Sequence, residues 1–285
     1  MIFLLLVLWI GNFIFKTHDD FPYYHLTYTL NLSENSFLVG TGNFSHGFRT
    51  FSSLFFYHSL LYMPIIDFYL FNVGSFYILI FSNYVMLSLL KENYDYKRFN
   101  IIFYFTLLSF IFINIVFYRI SEHGTDRSAQ ILLALIVIFF IQTIYFEKNK
   151  KKLFSNLNLI LILIFLASSM KALYYLYLLL PPIILFFKKF WLKFFVKKNS
   201  LIITFLFFSL FLNLSINYLN TGCLLYPAEK TCFGNKEWSV PKSQVSEMKI
   251  HYEWWSKAGG GPEYKSKMTP EEYVKNFNWL NNWIE

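Results

Sequence analysis

The sequence predicts an all-α polytopic membrane protein with about seven transmembrane helices, and three observations carry that reading. The 285 residues are 56 % hydrophobic and only 15 % charged, whereas an ordinary soluble domain is about a quarter charged. Seven apolar runs approach or reach the ~20 residues that cross a ~30 Å hydrocarbon core as a helix. Lysine and arginine alternate between rich and poor loops along the chain, as they do when spans alternate direction.

Taken in order, the spans fall near 2–15, 65–90, 100–118, 129–146, 156–170, 172–187 and 200–217. The first is short and has neither the basic leader nor the small-residue cleavage site of a signal peptide. It is followed by a loop, 16–50, that opens on "HDDFPYYH"; Asp20 and Pro22 there suit the start of a helix over 21–32. The aromatic stretch 51–63, closed off by Pro64, predicts a helix lying in the interface. Beyond residue 217 the character changes. Charge rises, three glycines run together at 259–261, and "MTPEEY" carries a capping box at Thr269 and Glu272. We expect 218–285 to be an extracytoplasmic segment in which the last helix still runs at Glu285, so that the chain reads as truncated from a longer protein.

Orientation follows from the basic residues. Loops 91–99, 147–152 and 188–199 hold three, four and five Lys or Arg, whereas 16–50, 119–127 and the turn at Lys171 hold two, two and one. The first set faces the cytoplasm. The net charge of +8 therefore calls for anionic lipid and not for nucleic acid. Cys223 and Cys232 lie outside on this topology, where an oxidising compartment allows a disulfide. Two unpaired cysteines are the alternative.

The outside face also gathers the residues that carry chemistry. Of the four arginines among 25 basic residues, Arg49, Arg119 and Arg127 stand in outside loops, against the positive-inside tendency. Each offers a planar fork for phosphate or carboxylate that lysine does not reproduce. The stretch "YRISEHGTDRSAQ" adds Glu122, His123 and Asp126, with Gly124 suiting a turn. His18, Asp19, Asp20, His46 and Lys171 complete the set. Bland readings stand beside each: Asp19 and Asp20 as solvated caps, the 119–127 cluster as interfacial salt bridges, and Lys171 as a snorkelling turn residue. His25 and His58 read as interfacial residues rather than ligands. The His and Cys spacings match no metal site; a divalent metal stays open as a cofactor, with no ligands assigned.

A short outside loop with paired acids, then a juxtamembrane helix and many spans, resembles the GT-C superfamily of glycosyltransferases, which use polyprenyl-phosphate-linked sugars. "HDDFPYYH", "GNFSHGFRT", "EHGTDRSAQIL" and "TGCLLYP…CF" look like an uncharacterised bacterial family of multispanning proteins with a GT-C-like arrangement. The resemblance implies a bacterial plasma (inner) membrane enzyme with an extracytoplasmic active face, in which Asp19 or Asp20 is the catalytic acid of the first loop. His18, His46, Arg49, Arg119, Glu122, His123, Asp126, Arg127 and Lys171 would bind the lipid-linked phosphosugar. Competing readings are a transporter or flippase of an anionic lipid-linked substrate, a polysaccharide polymerase or ligase, and a non-catalytic membrane subunit. The donor sugar, acceptor and oligomeric state are left open.

Overall fold

The computed structural model describes residues 6, 10, 20–35, 37–116, 120–189, 200–233, 236–260 and 268–284, with 120–124 described by their backbone alone. His18, Asp19, Arg119 and nearly all of the 2–15 run lie outside the described residues. Those described are helical, and the β-pairing among them is confined to two isolated bridges, Met63 with Asp67 and Cys223 with Cys232. Among the described residues, four helical segments are long and apolar enough to cross a membrane: Phe68–Asp95, Thr125–Phe146, Lys150–Met170 and Ser200–Thr221. Ile101–Val116 and Ala172–Phe187 are shorter apolar helices.

The chain divides into two compact units: Met1–Phe37 with Phe51–Asn213, and Leu38–Thr50 with Leu214–Glu285. In the first, a π-helical turn, Phe21–His25, leads into α1 (Leu26–Glu34), and α2 is Ser53–Ser59. Then come α3 (Val73–Asp95), α4 (Ile101–Val116), α5 (Ile120–Ile141) and α6 (Lys150–Met170). The 51–63 helix is thus shorter than expected, ending before the turn that Pro64 enforces.

The core lies where α5 meets α6 and α3. Ile131, Leu132, Leu135, Ile136 and Ile138 on α5 face Leu157, Ile160 and Ile164 on α6, all at or near zero exposure. This is the i, i+4, i+7 stripe of a packed helix face. The outer surface around this core is apolar too, with Leu108, Phe112 and Ile115 of α4 and Leu166 of α6 exposed. Apolar surface on both sides suits lipid, where helices associate through packing and interhelical hydrogen bonds instead of a hydrophobic drive. Asn83 of α3 and Asn114 of α4 supply such a link, their amides bonded reciprocally at 3.0 and 2.7 Å.

Helix ends explain where the spans break. Asn149 caps α6 by accepting from Lys151 N at 2.9 Å and Lys152 N at 3.4 Å. At Lys171 the backbone turns extended, with φ −148° and ψ 118°. The 172–187 run is consequently a 3₁₀ stretch, Ala172–Leu179, followed by α7 (Leu180–Phe187), whose first turn holds Pro181.

The second unit contains the end of α8 (Ser200–Thr221), α9 (Lys242–Ser256), α10 (Pro270–Val274) and α11 (Leu280–Ile284). Gly222 ends α8 with φ 82°, the left-handed cap that glycine adopts without strain. The Cys223–Cys232 disulfide follows, packed with Val240 and Val245. The segment 38–50 joins this unit through Gly40, whose N–H donates to Leu219 O at 2.8 Å. A Cβ on Gly40 would stand 2.8 Å from Trp238 O, and its φ is 81°. The capping box at Thr269 and Glu272 is present as expected. The helix it starts is not continuous to the end, because Asn276 and Phe277 adopt positive φ of 49° and 61° between α10 and α11.

Candidate functional site

The first correction concerns the loop expected at 119–127. From Ile120 onward this stretch is the first turns of α5, so Glu122, His123, Asp126 and Arg127 stand on a helix; the side chains of Glu122 and His123 lie outside the described residues. Gly124 costs a helix only about 1 kcal/mol relative to alanine, which the extensive packing of the following turns outweighs. On a helix, consecutive residues point about 100° apart, and that separates the two ions. Asp126 Oδ1 pairs with Lys171 Nζ at 2.7 Å. Arg127 donates from Nη1 to Gln130 Oε1 at 3.0 Å, one turn along its own helix.

Arg127 and Gln130 form one end of an open groove of about 640 Å³ between α4 and α5. From that end, where Val116 lies opposite, the groove runs to Phe105 and Val137. Ten residues separate Arg127 from Val137, or ~15 Å of helix. Phe112, Leu133 and Ala134 line it between. Ser109 is the other polar residue of the lining, partway along α4; a mostly apolar trough of that size with a few polar groups is the usual form of a small-molecule site. Gln130 was missed from sequence, although its i, i+3 spacing from Arg127 marks one helix face.

Asp20 stands at the N-cap position of the turn Phe21–His25, where its side chain makes no capping hydrogen bond. Lys171 is half-buried at the C-terminus of α6. These residues belong to the first unit with Asp126 and Arg127.

His46 and Arg49 belong to the second unit. His46 is exposed. Arg49 is 9 % exposed and its fork is committed within the unit: Nε donates to Gly42 O at 2.9 Å, Nη2 to Gln244 Oε1 at 2.5 Å and Nη1 to Tyr226 OH at 3.4 Å. Burial raises the Tyr226 phenol above its ordinary value, and the hydrogen bond with Arg49 partly offsets this. Arg49 thus ties the glycine-rich segment to α9 and the disulfide loop.

His25 and His58 depart from the sequence reading, being buried at 9 % and 6 % exposure. Burial, together with the neighbouring His25, lowers the His58 imidazole to about 3. Leu54, Phe55 and His58 share one face of α2, a spacing that marks His58 as inward-facing. Among the described residues no cluster of three or more His, Cys, Asp or Glu is placed to hold a metal ion.

Compared with known proteins, the chain matches over residues 1–285 the family described as "Domain of unknown function (DUF8201)". The chain belongs to this family. No curated protein and no solved structure matches it. The DUF8201 description assigns no activity.

Proposed function

We propose that this chain is a GT-C-like membrane glycosyltransferase of seven spans, which transfers a sugar from a polyprenyl-phosphate donor to an extracytoplasmic acceptor at a bacterial plasma membrane. The observation that carries the reading is the α4–α5 groove, apolar for most of its length, with Arg127 and Gln130 at one end. The isoprene units nearest the phosphate of a polyprenyl donor match the apolar length, and the phosphate matches the polar end. Asp126 and Lys171 lie one residue away from Arg127 along α5 and across at the end of α6.

In this scheme the acceptor hydroxyl attacks the anomeric carbon as the bond from that carbon to the phosphate oxygen breaks. The hydroxyl proton passes to Asp19 or Asp20, and the polyprenyl phosphate leaves with the bonding pair. The configuration inverts in the single displacement. Arg127, with Arg119 and Lys171, neutralises the phosphate as charge grows on it; fixed charges of this kind are worth most where water is excluded. A carboxylate base of this type contributes roughly 10²-fold to 10⁴-fold.

The test is incorporation of labelled sugar from polyprenyl-phosphate donors by membranes carrying the protein. Asp19→Asn and Asp20→Asn should leave expression intact while at least one lowers transfer by about 10²-fold or more. Ala134→Trp, which fills the groove, should weaken donor use. Full transfer by both Asn variants, or by the filled groove, would overturn the scheme. Movement of the lipid-linked donor across the bilayer without sugar transfer would establish the flippase reading in its place.

A further inference from the structure

Apart from the groove, the first unit encloses a cavity of about 20 Å³ that no part of the proposed reaction uses. Its polar lining comes from four places in the chain: His25 and Thr29 before and within α1, His58 on α2, Asn72 ahead of α3, and Thr125 in the first turns of α5. Phenylalanine rings close the remainder. His58 and Asn72 are 6 % and 4 % exposed. Among the described residues, neither His58 Nε2 nor Asn72 Nδ2 meets a hydrogen-bond partner. A buried polar atom left in that condition is costly, and two of them line one small chamber.

Their positions are held by packing. A Cβ at Gly74 would stand 2.7 Å from His58 Nε2 and 2.7 Å from Tyr57 Cδ1, so the imidazole is pressed against the first turn of α3. Thr29 spends its hydroxyl proton on His25 O at 2.8 Å, leaving its oxygen as an acceptor. Thr125 Oγ1 lies 3.4 Å from Asp126 Oδ1.

We propose that this chamber is a binding site for one water molecule, bridging His58 Nε2 and the Asn72 side-chain amide. Size decides first: ~10–15 Å³ of such volume holds one water, and 20 Å³ admits no sugar, phosphate or lipid group. The donor set decides next. Asn72 presents an N–H, and the lining holds no carboxylate, which disfavours a bare cation. With the imidazole uncharged, no cationic group lines the chamber to balance an anion. Water both donates and accepts, so it satisfies the amide and either tautomer of His58, and the threonine hydroxyls supply further partners within the usual two to four. The water would join α1 and α2 to the start of α5, next to Asp126. This inference does not depend on the glycosyltransferase reading.

The test uses the intact protein in lipid nanodiscs. A structure at a resolution that shows other buried waters should show density at ~2.7–3.2 Å from both His58 Nε2 and the Asn72 amide. His58→Leu and Asn72→Leu should each lower Tm by about 2–4 °C. The double variant should lose about as much as the larger single, because either change forfeits the same bridging molecule. An absence of density would overturn the proposal, as would additive losses. Density at ~2.0–2.2 Å from the imidazole would overturn it in favour of a metal ion.

Discussion

Lowering the pH should destabilise this protein through His58, and substituting that histidine should remove the effect. In the folded chain the imidazole is held at about 3, chiefly by burial and then by the neighbouring His25; unfolded, it returns to the ordinary value near 6.5. A group whose folded value is depressed binds its proton first in the unfolded state. Its contribution is therefore complete above about pH 6.5 and is lost progressively as the pH falls toward 3. Within that window unfolding takes up about one proton, so stability falls by about 1.4 kcal/mol per pH unit. Between about pH 7.5 and about pH 5 the loss integrates to roughly 2 kcal/mol. Thermal unfolding of the wild type and of His58→Gln, in one detergent across that range, measures it. Other titrating groups contribute to both proteins and cancel to first order in the difference. The wild-type Tm should fall by about 4 °C more than that of His58→Gln. Parallel profiles would refute the burial of a neutral imidazole at this position, and a steeper profile in the variant would refute the sign.

Two further outcomes are expected. The Asp126–Lys171 pair is short but its side chains are 51 % and 40 % exposed, so a double-mutant cycle with Asp126→Asn and Lys171→Gln should give a coupling of only about 0.2–1 kcal/mol; a coupling several times larger would mean that the pair is desolvated. Cys223 and Cys232 should resist alkylation until reduced, and reduction should lower stability by roughly 3 kcal/mol on the chain-entropy account, whereas free thiols in protein prepared without reductant would contradict the bridge.

Much of the architecture is legible without coordinates because it depends on local properties. Helix class and the position of apolar runs such as 156–170, which lies within the observed helix Lys150–Met170, follow from run length, since lipid leaves a backbone few ways to satisfy its hydrogen bonds. The Thr269–Glu272 capping box is a four-residue geometry, and the sequence identifies it outright. The Cys223–Cys232 bridge, one of the two readings the sequence left open for those cysteines, is present. Even the error at 119–127 was local: glycine reads as a turn when nothing shows how much packing the next turns supply.

What the tertiary structure alone decided is which distant residues share a face. Arg49, singled out for its fork, turns that fork toward Gln244 and Tyr226, nearly two hundred residues away, because 38–50 joins the unit built by 214–285. His58 looked like an interfacial residue in an aromatic run, yet it is buried against α3 because Gly74 leaves room for its ring. The groove becomes visible only when α4 and α5 pair, bringing Arg127 and Gln130 to one end of an apolar trough. Composition and periodicity specify the axis and the faces of each helix; partners and cavities arise from side-chain packing between elements, which no single stretch of sequence encodes.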